Sequence, residues 1–406
     1  MDDRVREHAT VLVDWSARVE AGDDVVVAVS EGSHELAVAV CEALGDRGAN
    51  YVAVYDSDEI ERAYLRAHDG DFDEDPGFER ALYERADTVL RLGRGRNTAA
   101  KADVSGETRQ AYRQRHTGIR EARMDTDWVS TVHPTRSLAQ QAGMSLREYE
   151  TFVYDAVLRD WESLAEEMAQ MKTVLDDASE VRIESGDQTV EMRVDGRTAV
   201  NSAASVAYDS HNLPSGEVFT APYATEGELT FDVPMTIYDR QVRDATLVFE
   251  DGEVVDFAAA QGEDAIAQIV ETDAGARRLG ELGIGMNRGI DRVTDNILFD
   301  EKMGDTVHLA LGAGVRRLSP GRRDGQRVGD PLGSDRRRER GLPGRGGRRG
   351  RATERAVPVG GGVRGRRVAR RRRAGERHSR SNRSATASGS YASSISRDRP
   401  RPSTSA

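Results

Sequence analysis

The sequence predicts an α/β N-terminal part built on a parallel sheet, followed by an α+β part with mostly antiparallel strands. In the first quarter of the chain, continuous β-branched runs alternate with amphipathic helical patterns, which is typical of parallel strands joined by helices. After Ser179 the apolar residues alternate with period two, which indicates strands with one buried face. The last stretch, residues 316–406, lacks apolar periodicity and is predicted to be a disordered, low-complexity basic tail rich in arginine.

The α/β part is expected to span residues 1–102. Its first helix is indicated by apolar residues at helical spacing over residues 4–20, before Ala21-Gly22 ends it. The strands that follow are DDVVVAVSEG, NYVAVYDS and DTVLRLG, and the helices between them are the segment from Ser33 to Leu44, EIERAYLRA and GFERALYERA. Neither GSHEL nor GRGRN completes a dinucleotide-binding fingerprint, so Gly93-Arg94-Gly95 is interpreted as a turn.

Residues 103–178 are predicted to be a helical connecting region. We interpret SGETRQAYRQRHTGIREARMD as one exposed helix, and SLAQQAGMSLREYETFVYDAVL and WESLAEEMAQMKTVLDDA as two more. The short strand WVSTVHPT ends at Pro134, and His133 beside it is expected to be structural. Residues 179–315 form the α+β part, with a helix at EDAIAQIVETDAGARRLG and strands that include ILFD.

The charge is divided between the two ends of the chain. Residues 316–406 contain 27 Arg, no Lys and 7 acidic residues, a net charge of +20. Residues 1–315 hold 31 basic and 63 acidic residues, a net charge of −32, and the whole chain has only three lysines. Because salt screens the repulsion within such an acidic body, we interpret the composition as that of a halophilic protein.

Cys41 is the only cysteine, which excludes an internal disulfide and fits a reducing compartment. It lies in the apolar helical run ELAVAVCEAL, where a small core residue is expected. The N-terminus lacks the basic start and apolar core of a signal peptide, and no run approaches the ~18 uncharged residues of a membrane helix. The sequence therefore predicts a soluble, cytoplasmic protein without a membrane partner.

Candidate functional residues gather between the glycines of residues 275–314. They are Glu281, Asp300, Glu301 and His308. A further carboxylate, Glu217, lies upstream in PSGEVFTAP. Taken singly, each has a structural explanation, since a carboxylate near buried residues needs a partner and a lone strand histidine is more often a core residue. Together, carboxylate oxygen and imidazole nitrogen are the donors that a catalytic Zn, Co or Mn ion prefers.

Five dispersed segments, in order along the chain, resemble the blocks of one enzyme family. They are LVDWSARVEAGDDVVV, HPTRSLAQQAGMSLREYE, LPSGEVFTAP, GARRLGELGIGMN and LFDEKMGDTVHLALG. The chain resembles the aminopeptidase T class of metallo-aminopeptidases from near its start to about Gly314. The resemblance implies a homodimer that removes single N-terminal residues from peptides, with two divalent ions that activate a water molecule. It also implies that Glu217, Glu281 and His308 are metal ligands.

Past His308 the sequence departs from that family. The resemblance implies a tyrosine where Val315 stands, and then a His-Trp-Asp block with two more ligands that is absent, so no catalytic residue is assigned. Codons permitted for Gln326 to Asp335, read one nucleotide forward, give Asn-Glu-Ser-Ala-Thr-His-Trp-Asp-Leu. We therefore hypothesise a frameshift between His308 and Val315, which an intact single frame in independently sequenced DNA would disprove.

Two functions follow as hypotheses. The first is a metal-dependent aminopeptidase, impaired in this chain because ligands are missing and strand edges are left uncovered. The alternative is a non-catalytic protein with an acidic body and a basic tail that binds nucleic acid non-specifically. The tail has almost no aromatic residues for base stacking, which argues against the alternative.

Overall fold

The structure is a computed structural model that describes residues 1–68, 70–72, 77–93, 96–97, 99–237, 240–273, 275–312, 357–358 and 368–372. The helices are α1 (Asp3–Thr10), α2 (His34–Arg47), α3 (Asp58–Ala67), α4 (Gly77–Tyr83), α5 (Gly106–Arg115), α6 (Thr117–Met124), α7 (Arg136–Gln141), α8 (Leu146–Val157), α9 (Trp161–Asp176), α10 (Glu263–Val270) and α11 (Ile297–Asp300). The strands of the α/β part are β1 (Asp24–Ser30), β2 (Asn50–Asp56), β3 (Thr88–Gly93) and β4 (Asp127–Val132). Those that follow are β5 (Ala178–Ser185), β6 (Gln188–Arg193), β7 (Val200–Ser202), β8 (Asn212–Leu213), β9 (Glu217–Thr220), β10 (Tyr223–Phe231), β11 (Met235–Ile237), β12 (Arg240–Val242), β13 (Ala245–Glu250), β14 (Glu253–Ala258), β15 (Leu279–Gly285), β16 (Thr306–Leu311), β17 (Val357–Pro358) and β18 (Val368–Arg372).

The first sheet has the strand order β2-β1-β3-β4-β8, and every pair in it is parallel. The interior strand β1 is apolar on both faces because both are covered. Val25 and Val27 pack into the large core with residues of α1 and α2, whereas Val26 packs with Tyr83 and Ile119 on the other side. The predicted parallel α/β sheet is therefore confirmed, and it takes its last strand, β8, from far along the chain.

The second part of the chain forms antiparallel sheets, as the period-two pattern predicts. One sheet has the order β14-β13-β10-β6-β5-β18, and another has the order β17-β16-β15-β9-β7. Strands β11 and β12 form a separate hairpin. One continuous apolar core extends from α1 to β16 and includes α8 and α9, which lie between the parallel and antiparallel sheets along the chain.

Three local predictions are wrong. The segment 136–157 is two helices, because Gly143 adopts a left-handed conformation and Ser145 then caps α8 by accepting from Glu148 N. The exposed segment 106–124 is also broken, at His116 between α5 and α6. The run ILFD is the short helix α11 rather than a strand, because the Asn296 side chain caps it by accepting from Leu298 N.

Most of the arginine-rich segment, with Val315, lies outside the described residues. Two pieces of it, β17 and β18, depart from the predicted disorder, because their backbones pair with β16 and β5 at the outer edges of the two antiparallel sheets. The described residues, the last of which is Arg372, belong to one compact unit by their contacts. The boundaries proposed within residues 1–315 stay predictions. In the ranges that the structure describes, no helix has the length and apolar character needed to cross a bilayer.

Candidate metal site

Sheet pairing brings together the three residues that the sequence singles out. Glu217 is the first residue of β9 and lies opposite Gly285 of β15. His308 lies in β16 opposite Gly283 of β15, and Glu281 is two residues before that glycine. The three antiparallel strands β9, β15 and β16 are neighbours, so residues up to 91 positions apart in sequence meet on one sheet.

The imidazole of His308 lies directly over the backbone of Gly283. A Cβ atom at position 283 would be 2.0 Å from His308 Cε1 and 2.1 Å from Nε2. The ring can occupy this place only because residue 283 has no side chain. The glycine spacing in LGIG therefore has a direct role in orienting the histidine.

His308 Nε2 is the point at which the two carboxylates meet. It lies 3.5 Å from Glu217 Oε2 and 3.4 Å from Glu281 Oε1. Glu217 and His308 are 6% and 2% exposed, so their mutual attraction acts with little screening by solvent. The structure thus places all three predicted ligands in one cluster, in which Glu217 and His308 are buried and the Glu281 side chain is 19% exposed.

A fourth member of the cluster, Lys302, was not predicted. Its side chain is fully buried, and its ammonium group lies 3.3 Å from Glu217 Oε1 and in direct contact with Glu301 Oε1. Burying an ammonium group is costly unless it is paired, and here two carboxylates face it. Lysine is rarely buried, so sequence reasoning had no reason to choose it; the one available signal is its place in FDEKMG, directly after two carboxylates, in a chain with three lysines.

Asp300, which the sequence also placed in this stretch, does not join the cluster. Its carboxylate accepts hydrogen bonds from the backbone and side chain of Thr294 and from the backbone of Asn296. Burial raises the pKa of this carboxyl to about 6 against those hydrogen bonds. Asp300 therefore shapes the turn before Glu301.

Aromatic packing fixes the position of that turn. Phe299 is fully buried and lies against the rings of Phe152 and Tyr149 of α8, with centroid distances of 5.3 and 6.4 Å. Because Phe299 is two residues before Glu301, this contact holds the segment that carries Glu301 and Lys302. Helix α8 thus supports the site from outside the sheet.

The electrostatics of the cluster follow from burial and from its opposite charges. Burial raises the pKa of the Glu217 carboxyl to about 7, although Lys302 and His308 act to lower it. Burial would lower the pKa of Lys302, but the charges of Glu217 and Glu301 raise it above its ordinary value. For His308, burial also acts to lower the pKa, while the hydrogen bond to Glu281 and the charge of Glu217 raise it overall.

The donor set fits a divalent ion by its chemistry. Glu217 Oε2 and His308 Nδ1 are buried and make no hydrogen bond, and a buried carboxylate oxygen without a hydrogen bond is a group that a cation would satisfy. Among the described residues, however, no group of three His, Cys, Asp or Glu side chains has the geometry of a formed metal site. The carboxylates of Glu217 and Glu281 contact His308 Nε2 directly instead, and Lys302 already faces Glu217.

Comparison with known proteins gives the family. The model of the thermophilic metalloprotease family M29 matches residues 1–324, and the chain belongs to this family. The resemblance inferred from the five sequence blocks is therefore confirmed. Val315, where the family tyrosine is expected, lies within the matched range but outside the described residues.

The curated relatives are aminopeptidases that match parts of the chain. Aminopeptidase 2 of Geobacillus stearothermophilus is 37% identical over 134 residues, which is 30% of this chain and 32% of the relative. Aminopeptidase T of Thermus aquaticus is 32% identical over 119 residues, or 28% and 29% of the two chains. The chain thus spans about a third of the length of these first relatives. Aminopeptidase PepS of Streptococcus thermophilus is 24% identical over 349 residues, 77% of this chain and 84% of that protein.

Among solved structures, wild-type AmpT from Thermus thermophilus matches with a TM-score of 0.70 and 20% sequence identity. The match covers 79% of this chain and 87% of that chain. It shows that the two proteins share a fold.

Proposed function

We propose that this chain is a metal-dependent aminopeptidase that releases N-terminal residues from peptides. The observation that carries the proposal is the meeting of Glu217, Glu281 and His308 in one cluster of a chain that belongs to the M29 family. The names of the relatives, all aminopeptidases, supply the reaction class. Peptides with a free N-terminus are the substrates, the cytoplasm is the compartment, and a homodimer is the assembly.

Each of the three proposed ligands has a role in binding the metal ion. Glu217 and Glu281 would provide carboxylate oxygens, and His308 would provide Nε2, to a divalent ion such as Zn, Co or Mn. A bound ion would activate water and polarise the scissile carbonyl, and a pair of ions would divide these tasks. The sheet excludes water from Glu217 and His308, while Gly283 leaves room for the imidazole.

Activity of this chain is expected to be weak or absent. The expected tyrosine is replaced by Val315, and the His-Trp-Asp block with two further ligands is missing from the sequence. Glu217, Glu281 and His308 suffice for one ion at best. The chain should therefore cleave an aminoacyl-nitroanilide far more slowly than a version with the restored reading frame; equal rates would contradict the proposed impairment.

Metal binding itself tests the proposal independently of turnover. Titrating the full chain with Zn²⁺ should show binding that Glu217→Ala and His308→Ala each weaken by at least tenfold. Glu59→Ala and His34→Ala are suitable controls because both residues are exposed and distant in sequence from the cluster. Unchanged affinity in the two site variants would overturn the assignment.

The alternative is a non-catalytic protein whose tail binds nucleic acid, and the charge of +20 over residues 316–406 favours it. Such binding would be non-specific and would fall steeply with added salt. Retention on DNA that disappears when residues 316–406 are deleted, combined with no Zn²⁺ binding, would replace the peptidase proposal with this one.

A further inference from the structure

A cavity of about 570 Å³, here called the arginine cavity, lies where three helices meet. Arg4 of α1, Arg136 of α7 and one face of α8 line it. The residues of α8 repeat at helical spacing, and they are Leu146, Arg147, Glu150 and Thr151. None of these side chains belongs to the candidate metal site.

The parallel sheet brings the first two arginines together. Arg136 begins α7 four residues after β4 ends at Val132. His8 of α1 contacts Thr131 near the same end of β4, with Nε2 2.8 Å from Thr131 Oγ1, and Arg4 lies about one helical turn before His8. The arginine cavity is therefore next to the carboxyl end of β4, on the side of an open α/β sheet where ligands bind.

The Arg4 guanidinium is oriented by two contacts. Its Cζ atom lies 4.6 Å from the centre of the Tyr154 ring, and its Nε and Nη2 atoms donate to the Asp2 carboxylate at 3.1 and 2.6 Å. A guanidinium has five N–H donors, and those of Nη1 have no acceptor in the part of the chain that the structure describes. Arg4 is thus held in place with donors to spare.

The other two arginines are unpaired in an acidic protein. Arg136 and Arg147 are exposed and have no carboxylate partner among the described residues. Elsewhere in residues 1–315, whose net charge is −32, arginines such as Arg62 pair with a nearby carboxylate, here Asp103. Three guanidinium groups and one carboxylate give the lining a net charge of +2. An anion is the ligand that this lining favours.

The arrangement of the arginines indicates which kind of anion. A planar carboxylate has two oxygens, and one guanidinium in bidentate geometry satisfies both. A tetrahedral phosphate directs oxygens to several sides and carries a charge of about −2, which matches donors that come from three helices. The volume of about 570 Å³ exceeds that of a free phosphate ion and lies within the ~300–1,000 Å³ of small-molecule sites, so an attached organic group also has room.

We propose that the arginine cavity binds a phosphate group, free or as the ester of a small molecule, between Arg4, Arg136 and Arg147. The inference goes beyond the proposed function and does not depend on it. Glu150, the one acidic residue of the lining, provides selectivity. A phosphate that retains one proton can donate it in a hydrogen bond to the Glu150 carboxylate, whereas sulfate has no proton to donate and would be repelled.

Calorimetric titration of the full chain with inorganic phosphate tests the inference. In a constant background of about 1 M KCl, which screens non-specific attraction, we expect one saturable site per chain. Arg136→Ala and Arg147→Ala should each weaken binding roughly tenfold, the loss that one charge-assisted hydrogen bond carries. Arg159→Ala is the matched control, because Arg159 is exposed just after α8 and does not line the cavity.

Two comparisons identify the ligand. Sulfate should bind the wild type more weakly than phosphate does, and Glu150→Gln should remove this difference. O-phosphoserine that binds more tightly than inorganic phosphate would identify an ester as the ligand, and the reverse order would identify the free ion.

Three results would overturn the proposal. The first is a wild-type chain with no saturable phosphate binding, and the second is an affinity that neither Arg136→Ala nor Arg147→Ala lowers relative to Arg159→Ala. The third is equal affinity of the wild type for sulfate and phosphate, which would remove the assignment to phosphate.

Discussion

His308 owes its position to the absence of a side chain on the facing strand. A Cβ atom on Gly283 would overlap the imidazole at 2.0 Å, so Gly283→Ala forces the ring away from Glu217 and Glu281. We expect Zn²⁺ affinity to fall by at least tenfold in this variant. Gly45→Ala is the control, because nothing lies within 4 Å of the added Cβ and alanine favours the helix there.

Circular dichroism should show that Gly283→Ala keeps its secondary structure. Wild-type affinity in this variant would mean that the ring position seen here is not the one that binds the ion.

His8 predicts a pH dependence of stability that is unrelated to the candidate metal site. It is fully buried in α1 with Nε2 2.8 Å from Thr131 Oγ1, and burial lowers its pKa to about 3, with His133 adding to the effect. In the unfolded chain a histidine has a pKa near ~6.5. Below that pH the unfolded chain takes up a proton that the folded chain does not, so the free energy of unfolding decreases as the pH falls from about 6.5 toward 3.

Between pH 6.5 and 5 the loss from His8 should be about 2 kcal/mol, at ~1.4 kcal/mol per pH unit. Urea unfolding across this range measures it, and His8→Gln should make the dependence shallower. Identical slopes for the wild type and His8→Gln would contradict the assignment of this effect to His8.

Residue by residue, the sequence identified the acidic and imidazole members of the cluster but missed its lysine. Glu217, Glu281 and His308 could be grouped because their flanking blocks resemble one family in a fixed order. Lys302 could not, because burial of an ammonium group depends on carboxylates that only the folded chain brings to it.

At the scale of elements, Asn287 connects the parts that carry the site. It is fully buried; its Nδ2 donates to Ala156 O at the end of α8 and to Ser215 O just before β9, and its backbone N donates to Lys302 O. Replacing it by alanine removes the donor to these two backbone carbonyl oxygens in the interior. The cost is expected to be about 2–3 kcal/mol of the free energy of unfolding.

Chemical denaturation of Asn287→Ala provides the measurement. Asn50→Ala, an exposed asparagine on β2, should change stability by no more than ~0.5 kcal/mol. If Asn287→Ala lowered the free energy of unfolding no more than this control, the hydrogen bonds of Asn287 would not contribute measurably to stability.

Prediction of elements succeeded where the apolar pattern was long and failed where a single cap decided the outcome. The seven-residue run of β1 has a clear β-branched pattern, and the structure confirms it as a parallel strand. ILFD has only four residues, too few to show a period, and Asn296 makes it a helix. The break at Gly143 depends on one left-handed residue that periodicity does not detect.

For the whole molecule, the net charge of −32 over residues 1–315 predicts stabilisation by salt. Raising KCl from about 0.1 M to about 1 M shortens the screening length from ~10 Å to ~3 Å and weakens repulsion among the surface carboxylates. A gain of 1–2 kcal/mol would raise the thermal midpoint by roughly 2–8 °C. Calorimetry in KCl measures this, and sucrose, which screens nothing, is the comparison. A midpoint unchanged in KCl would contradict the halophilic interpretation.

The chain crosses from one sheet to another at a short junction. β8 completes the parallel sheet at Leu213, and Glu217 begins β9 after only three intervening residues. If β8 separated from β4, the Glu217 carboxylate would therefore move away from His308. Destabilisation of the parallel sheet, which begins near the amino terminus, is therefore expected to weaken metal binding at the candidate site as well.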